Sequence, residues 1–247
     1  MIVLKSEDEI KKMAESCRIV AEVLEGIKKN ITLGVSTKEI DEFAESFIIT
    51  RGAQPAFKGY RGYPASVCTS INEQVVHGIP SSRKLKDGDI ISLDIGVLYK
   101  GFYGDAAVTL PVGSVSNQAR KLISVTEKAL EAGMERAVAG NRLSDISSAV
   151  QGCVEAEGFS IVRSFVGHGI GRELHEEPQI PNFGKRGSGV VLKEGMVICI
   201  EPMVTMGDYN LKKSSDGYGY ASRDNSLTAH FEHTIAITKK GPQILTL

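Results

Sequence analysis

The amino-acid sequence repeats itself after a little over a hundred residues, and this internal repeat restricts the possible folds more than any other feature. Three positions recur with an interval of 106 residues: Gly34 as Gly140, Ile40 as Ile146, and Gly52 as Gly158. The turn Lys86–Gly88 recurs as Lys193–Gly195 with an interval of 107 residues, and the same interval relates Asp94 to Glu201. Each half therefore carries an acidic residue at the same place, just after a turn and an apolar strand.

Both halves have the pattern of two helices followed by strands. The spacing of apolar residues predicts helices over the first thirty residues, from Ser36 or Thr37 to Gly52, from Asn117 to Ala139, and from Ser144 to Glu157. Two copies of a helix-helix-sheet unit predict an α+β fold with pseudo-twofold symmetry, whose two sheets meet in one core. We predict one domain over residues 1–247, with pseudo-repeats of about 1–110 and 116–247. Chance similarity of two helix-rich halves is the alternative.

Composition argues against several other classes of protein. The 29 basic and 30 acidic residues give a net charge of -1, which does not suggest a dedicated binder of nucleic acid or anionic membranes. The four cysteines lie far apart, which argues against a zinc finger and a disulfide framework. No apolar run approaches the ~20 residues that span a membrane, and the N-terminus does not match a signal peptide. We expect a cytoplasmic protein with reduced thiols.

Four acidic residues lie within or directly before predicted apolar strands: Asp94, Asp105, Glu201 and Glu232. A single buried carboxylate is usually satisfied by backbone amides, whereas an unpaired ionised one costs several kcal/mol. Four carboxylates in one core would repel one another unless they were protonated or neutralised by cations. No lysine or arginine lies in the same strands. We therefore predict that the four carboxylates bind metal ions.

Histidines offer nitrogen ligands and proton-transfer groups to the same site. His168 lies between two glycines in a segment that predicts an accessible loop, and it is the fifth candidate ligand. His175 follows seven residues later, and His77 is a third candidate, although each has the alternative of an ordinary surface or turn residue. His230 and His233 flank Glu232, and we interpret them as neighbours rather than ligands.

Oxygen-rich ligands with one nitrogen donor favour manganese, iron(II) or cobalt over a structural zinc. Two such ions lower the pKa of a shared water molecule and polarise a carbonyl group. A free carboxylate or imidazole then transfers protons. Acyl transfer to water follows from this chemistry. Hydrolysis of phosphate esters uses similar metal pairs, and the acidic residues alone leave that alternative open.

These motifs resemble those of type I methionine aminopeptidases of the bacterial kind, and the resemblance covers essentially the whole chain. The segments that carry it are Gly167–Gly171, His175–Pro178, Ile200–Met203 and Glu232–Thr234, together with the eleven-residue interval from Asp94 to Asp105. The sequence lacks the zinc-binding extension found in some relatives and the insertion of type II enzymes. The resemblance implies the pita-bread fold around a dinuclear metal site. It also implies removal of the N-terminal methionine from nascent proteins and peptides when the second residue is small.

The resemblance assigns roles to the candidate residues. Asp94 would chelate one ion, Asp105 and Glu232 would bridge both ions, and His168 and Glu201 would complete the ligands of the other ion. Glu201 would also accept the proton of the attacking water. His175 would hydrogen-bond the scissile carbonyl, and His77 would contact the substrate backbone and assist the departing amine. The two divalent ions would be cobalt, manganese or iron(II), with nickel or zinc as further options.

The methionine pocket follows the family pattern less closely. Tyr60, Tyr63 and Cys68 match the walls of that pocket, and Leu174 and Tyr218 complete it. Relatives commonly have phenylalanine at the position of Leu174 and tryptophan near that of Tyr218, and Phe57 replaces a smaller residue. The family also implies a monomer that associates transiently with the ribosome. The alternatives are a pita-bread enzyme that cleaves X-Pro bonds or creatine, and a non-catalytic binding module that has lost its metals.

Overall fold

The computed structural model describes residues 1–247 and contains two long helices and two shorter ones. Their bounds are α1 Glu7–Asn30, α2 Thr37–Thr50, α3 Asn117–Met134 and α4 Leu143–Ala156. Ser6 and Ser36 begin α1 and α2 as N-caps within capping boxes. The prediction of two helices in each half is confirmed. None of the four helices has the length and apolar character needed to span a bilayer.

Helix α3 ends five residues earlier than predicted. After Met134 the chain continues in tight turns, in which Arg136 N donates to Gly133 O and Ala137 N donates to Met134 O. Ala137 is nevertheless fully buried. Ala137 therefore fits the helical spacing of apolar residues although its backbone is no longer helical. This is why the sequence pattern predicted a longer α3.

The two halves together contain fifteen strands, which follow the helices of each half, and most are short. In chain order they are β1 Gln54–Pro55, β2 Cys68–Ile71, β3 Gln74–Val76, β4 Ile90–Tyr99, β5 Phe102–Pro111, β6 Ser160–Ile161, β7 Gly167–Gly169, β8 Glu176–Ile180, β9 Val197–Ile200, β10 Met203–Thr205, β11 Leu211–Lys213, β12 Tyr220–Ser222, β13 Thr228–His230, β14 Glu232–Thr238 and β15 Gly241–Ile244. A turn of 3₁₀ helix spans Tyr60–Gly62.

Nine strands from both halves form one continuous sheet in the order β1-β4-β5-β14-β9-β7-β8, with β2 also paired to β4 and β15 to β14. The junction between the halves is the antiparallel pairing of β5 with β14, at Ala107 opposite Glu232 and Ala106 opposite His233. The prediction of two sheets that meet in a core is therefore wrong in one respect. The halves share a single sheet because backbone groups of β5 and β14 hydrogen-bond to each other.

The helices cover one face of each half of this sheet. In β4, Ile91, Leu93 and Ile95 pack in one cluster with residues of α1 and α2. In β9, Ile198 and Ile200 pack in another cluster with residues of α3 and α4. Since successive side chains of a strand point to opposite faces, the intervening residues of both strands face away from these helices. Asp94 is one of those intervening residues.

Candidate active site

The register of the large sheet brings three predicted metal ligands onto one face. Asp94 of β4 lies opposite Ala107 of β5, which lies opposite Glu232 of β14. Residues directly opposite each other share a face. Asp105 precedes Ala107 by two residues and therefore points the same way. Strand pairing thus assembles carboxylates that are up to 138 residues apart in the chain.

Three of the acidic residues differ from the prediction in their position relative to the strands. Glu232 is the first residue of β14 rather than a residue before the strand. Asp105 lies inside β5 rather than before it, because the hairpin with β4 extends to the pair Tyr99 and Phe102. Glu201 follows the last residue of β9, and the next residue, Pro202, has no N–H to donate to a neighbouring strand. The carboxylate of Glu201 is thus presented from the end of a strand.

His168 lies in a strand, whereas the glycines around it predict a loop. Strand β7 pairs with β8 on one side and with β9 on the other. A Cβ atom at Gly167 would lie 2.3 Å from Cys199 O, and one at Gly169 would lie 2.3 Å from Glu177 O. The glycines therefore permit close strand packing rather than a flexible loop. His168 is buried, and its Nδ1 lies 2.9 Å from Gly169 O, which leaves Nε2 directed at the acidic residues.

Three carboxylates surround the Nε2 atom of His168. The distances from this atom are 3.6 Å to Glu201 Oε1, 4.0 Å to Asp105 Oδ2 and 4.0 Å to Glu232 Oε1. These distances are too long for hydrogen bonds. An ion with bonds of about 2.1 Å fits between two ligand atoms that are up to about 4.2 Å apart.

Burial opposes the ionisation of all four carboxyl groups. It raises the pKa of Asp94 from 3.8 to about 7. It also raises the pKa of Asp105, and the neighbouring carboxylates of Glu232 and Asp94 raise it further. The pKa values of Glu201 and Glu232 are raised by burial first and by the other acids second. The protein by itself therefore holds these groups in an electrostatically unfavourable arrangement.

The chain supplies no cationic side chain to this cluster. No lysine or arginine forms an ion pair with any of its four carboxylates. Buried oxygens of Asp94, Asp105 and Glu232 have no hydrogen-bond partner. Buried polar groups are normally satisfied, so these atoms require a partner that the protein lacks. A divalent cation fits the donor set, because carboxylate oxygens and an imidazole nitrogen are the ligands that such ions take.

Cys199 belongs to the same cluster, although the sequence did not identify it as a site residue. One ligand atom from each of Asp105, His168, Cys199 and Glu232 lies within 4.8 Å of the others. The thiol is buried and also lies 3.5 Å from Thr234 Oγ1. Within the run Val197–Ile200 a cysteine has the pattern of a core residue. Its pairing opposite His168 reveals its location.

The two catalytic candidates His175 and His77 line the same cavity as the carboxylates. The ring of His175 lies 4.3 Å from that of His168, and its Nδ1 lies 2.9 Å from the hydroxyl oxygen of Tyr60. Burial, and then the neighbouring His168, lowers the pKa of His175 to about 3. A neutral imidazole whose Nδ1 accepts from the tyrosine hydroxyl carries its proton on Nε2. Such a group donates a hydrogen bond at neutral pH.

His77 is held in a left-handed backbone conformation, with a φ of 59°. Its ring packs edge-on against Phe165, at 5.4 Å between ring centroids, and against Tyr220, at 6.4 Å. Non-glycine residues with positive φ are uncommon and cluster at functional sites. Burial lowers the pKa of His77, which favours its neutral form.

All the predicted site residues line one cavity of about 430 Å³. The predicted pocket wall is fixed by its own contacts. The Tyr63 hydroxyl donates to Gly78 O at 2.9 Å, and the Tyr218 hydroxyl donates to Gly62 O at 2.7 Å. The two tyrosine rings meet edge-on at 5.7 Å. Phe57, Cys68 and Leu174 are buried at the apolar end of the cavity. The roles predicted for these residues stay predictions.

The histidines that flank Glu232 point in different directions. His233 lies 2.8 Å from the hydroxyl oxygen of Thr246 through its Nδ1, outside the cavity. His230 lines the cavity, and its Nε2 lies 3.7 Å from Glu201 Oε2. The sequence alone leads to the same interpretation of both residues, as neighbours rather than ligands. Their different orientations depend on strand pairing, which the sequence pattern does not give.

Comparisons with known proteins agree with this geometry. The model of metallopeptidase family M24 matches residues 11–239. A methionine aminopeptidase of Clostridium perfringens is 52% identical over 247 residues, covering 100% of this chain and 99% of that protein. The crystal structure of methionine aminopeptidase from Rickettsia prowazekii superposes with a TM-score of 0.99 at 42% identity, covering 100% of both chains. Prolidase from Pyrococcus furiosus superposes with a TM-score of 0.79 at 26% identity, covering 99% of this chain and 65% of that one.

The fold prediction is confirmed by these superpositions, since the whole chain follows the pita-bread architecture. The match to methionine aminopeptidases covers both chains end to end, whereas the prolidase match leaves about a third of that protein unmatched. From the family model and the full-length identity we conclude that the chain belongs to metallopeptidase family M24, within the group of bacterial methionine aminopeptidases.

Proposed function

We propose that this protein is a metal-dependent aminopeptidase that removes the N-terminal methionine from peptides and nascent proteins whose second residue is small. The observation that carries the proposal is the cluster of buried, unpaired carboxylates around His168, at one end of a cavity with an apolar wall. The full-length similarity to methionine aminopeptidases supports the choice of substrate. We further propose that residues 1–247 act as one catalytic domain, since strands of both halves share the sheet that carries the site.

Two divalent ions would be held by Asp94, Asp105, His168, Glu201 and Glu232. The chemistry that such ions supply is the activation of water and the polarisation of a carbonyl group. Cobalt, manganese and iron(II) suit the oxygen-rich ligands, and nickel and zinc are further options. The buried thiol of Cys199 adds a softer donor close to these ligands.

The remaining groups would bind the peptide and transfer protons. Glu201 would accept the proton of the attacking water, because its Oε1 lies beside His168 and its Oε2 lies beside His230, which is not a proposed ligand. His175 would donate a hydrogen bond from Nε2 to the scissile carbonyl oxygen, where negative charge develops. His77 would contact the substrate backbone and assist the departing amine.

Selection of methionine would take place at the apolar end of the cavity. Tyr60, Tyr63, Cys68, Leu174 and Tyr218 would surround the methionine side chain. Burial of that side chain in an apolar pocket contributes roughly 1.5–3 kcal/mol, which is available to orient the first peptide bond. Leu174 is more flexible than an aromatic residue, so we expect some tolerance for norleucine and other unbranched side chains.

The cellular setting follows from the proposed substrate. Nascent chains would be the substrates in the cytoplasm, and association with the ribosome would be transient. We propose that the enzyme acts as a monomer, as the resemblance to methionine aminopeptidases implies.

One set of peptides separates the proposed function from its alternatives. We expect release of methionine from Met-Ala-Ser in the presence of Mn(II), Co(II) or Fe(II), loss of this release with a chelator, and weak release from Met-Leu-Ser. Turnover of only Ala-Pro peptides would indicate an X-Pro peptidase instead. Absence of turnover with every metal would indicate a binding module, and turnover of a phosphate ester alone would indicate a phosphatase.

A further inference from the structure

The imidazole of His230 is buried beside Glu201 and has no role in the chemistry described above. Its residue is 2% exposed, and its Nε2 has no hydrogen-bond partner. Glu201 Oε2 lies 3.7 Å from this nitrogen. This distance exceeds that of a hydrogen bond by about 0.7 Å.

The backbone of His230 is held by hydrogen bonds to neighbouring strands. The N–H of His230 donates to Thr109 Oγ1 at 2.8 Å, and the hydroxyl of Thr109 donates to His230 O at 2.8 Å. The same hydroxyl oxygen lies 2.8 Å from Ser92 Oγ. Three strands therefore fix the residue from which the ring extends.

The two oxygens of Glu201 face two different imidazoles. Oε1 lies 3.6 Å from His168 Nε2, and Oε2 lies 3.7 Å from His230 Nε2. His168 belongs to the group of ligand atoms that lie within 4.8 Å of one another, and His230 does not. One oxygen of Glu201 is thus close to a proposed metal ligand, and the other is close to an imidazole outside that group.

We propose that His230 is a positioning residue, which donates a hydrogen bond from Nε2 to Oε2 of Glu201 and keeps that oxygen off the metal. A carboxylate binds an ion through one or both oxygens, and only an oxygen that is not bound to the ion is free to accept a proton. Hydrogen bonds to metal-binding carboxylates fix their orientation in this way. The inference rests on the proposed roles of Glu201 as ligand and proton acceptor.

Without this hydrogen bond, Glu201 would turn and bind the ion through both oxygens. The free oxygen that accepts the proton would then be lost, while the residues proposed to surround the methionine side chain would be unaffected. Loss of His230 should therefore lower kcat and leave KM nearly unchanged. It should also raise the coordination number of the ion, which changes the visible absorption of a Co(II)-loaded protein.

Three substitutions of His230 separate a hydrogen bond from simple packing. His230→Gln places an amide N–H within similar reach of Oε2, His230→Asn has the same amide on a shorter side chain, and His230→Leu fills the space without a donor. His233→Leu is the matched control, because His233 lies on the other flank of Glu232 and contacts Thr246. Thermal unfolding of each variant reports whether it folds.

The measurements are kcat and KM for Met-Ala-Ser, the visible spectrum with Co(II), and the affinity for Mn(II) by calorimetry. We expect kcat to fall about 10- to 100-fold in the Leu and Asn variants, the range found for partners of metal ligands. KM should stay within about twofold, and the Co(II) spectrum should change. His230→Gln and His233→Leu should stay within about threefold of the wild type in kcat, with the wild-type spectrum.

Wild-type kcat and spectrum in His230→Leu would overturn the inference. Equal losses in the Gln and Asn variants would overturn it as well, because they would indicate packing instead of a hydrogen bond. If the Leu variant does not fold, the comparison of Gln with Asn decides. Should the wild-type protein fail to release methionine, the proposed function would fall, whereas the spectrum and the Mn(II) affinity of the variants would still decide the role of His230.

Discussion

Replacing Asp105 with asparagine should change the stability of the protein in opposite directions with and without metal. In the metal-free protein, Asp105 is a buried carboxyl group whose pKa is raised by burial and by the carboxylates of Glu232 and Asp94. The neutral amide of asparagine removes the free-energy cost of ionising this group, or of keeping it protonated, beside those carboxylates, and it should stabilise the fold. In the metal-loaded protein the same substitution removes a charged ligand, and it should destabilise the fold.

The magnitude of both effects follows from the geometry. The ligand atoms of Asp105 and Glu232 lie within 4.8 Å of each other, and two charges at that distance repel by about 3.5 kcal/mol at an effective dielectric constant of about 20. Unfolding entropy for a chain of 247 residues is about 0.5 kcal/mol per kelvin, so full relief of the repulsion raises the Tm by about 7 °C. An ion present at a hundred times its Kd stabilises the fold by about 2.7 kcal/mol, which corresponds to about 5 °C.

The assay is thermal unfolding at pH 7.5 of the wild type and of Asp105→Asn, each in EDTA and in saturating Mn(II). Asp8→Asn is the control, because Asp8 is exposed and its pair with Lys11 contributes less than about 1 kcal/mol. A lower Tm of Asp105→Asn in EDTA would refute the argument from repulsion. An equal gain of Tm with Mn(II) in both proteins would show that Asp105 is not a ligand, as would full peptidase activity in the variant.

Three further predictions concern single residues. In the metal-free protein, Asp94 keeps its proton up to about pH 7, whereas the unfolded chain loses it near pH 3.8, so wild-type stability falls as the pH rises across that interval. The Tm advantage of Asp94→Asn over the wild type in EDTA should therefore grow between pH 4 and pH 7 and then stay constant. A Tm difference that does not depend on pH would contradict this prediction. Lys5→Met removes the charged partner of Glu176, whose side chain is 12% exposed, and should cost about 3–5 kcal/mol in chemical denaturation. A cost below 1 kcal/mol would show that water replaces the pair. Gly169→Ala places a Cβ atom 2.3 Å from a neighbouring carbonyl oxygen, so it should lower the free energy of unfolding by about 1–3 kcal/mol and weaken Mn(II) binding in calorimetry. Gly152→Ala is the control, because Gly152 faces open space on α4, and it should raise the free energy of unfolding by about 1 kcal/mol.

Local elements of the fold were predictable because their signals lie within a few residues of one another. Ser6 and Ser36 mark the starts of α1 and α2 through hydrogen bonds to residues three positions later. The end of α3 was not predictable, since Ala137 is buried in the turn that follows the helix, as it would also be in a continued helix. The single sheet was not predictable either, because the pairing of Ala107 with Glu232 joins residues 125 positions apart.

The candidate site shows the same division. Its acidic residues were recognisable because a carboxylate in an apolar strand is costly without a partner. Cys199 was missed because a cysteine among aliphatic residues has the pattern of a core residue, and only its pairing opposite His168 brings it to the cluster. His230 and His233 were treated alike, although only His230 reaches Glu201.

The sequence alone determined which residues carry charge in apolar surroundings, where helices begin, and that the two halves match, because each of these depends on residue type and short-range spacing. The tertiary structure decided which residues face each other across the sheet. A shift of one residue in strand register moves every side chain to the opposite face. Hydrogen bonds between distant strands therefore select the partners of each site residue, and they place His230 rather than His233 beside Glu201.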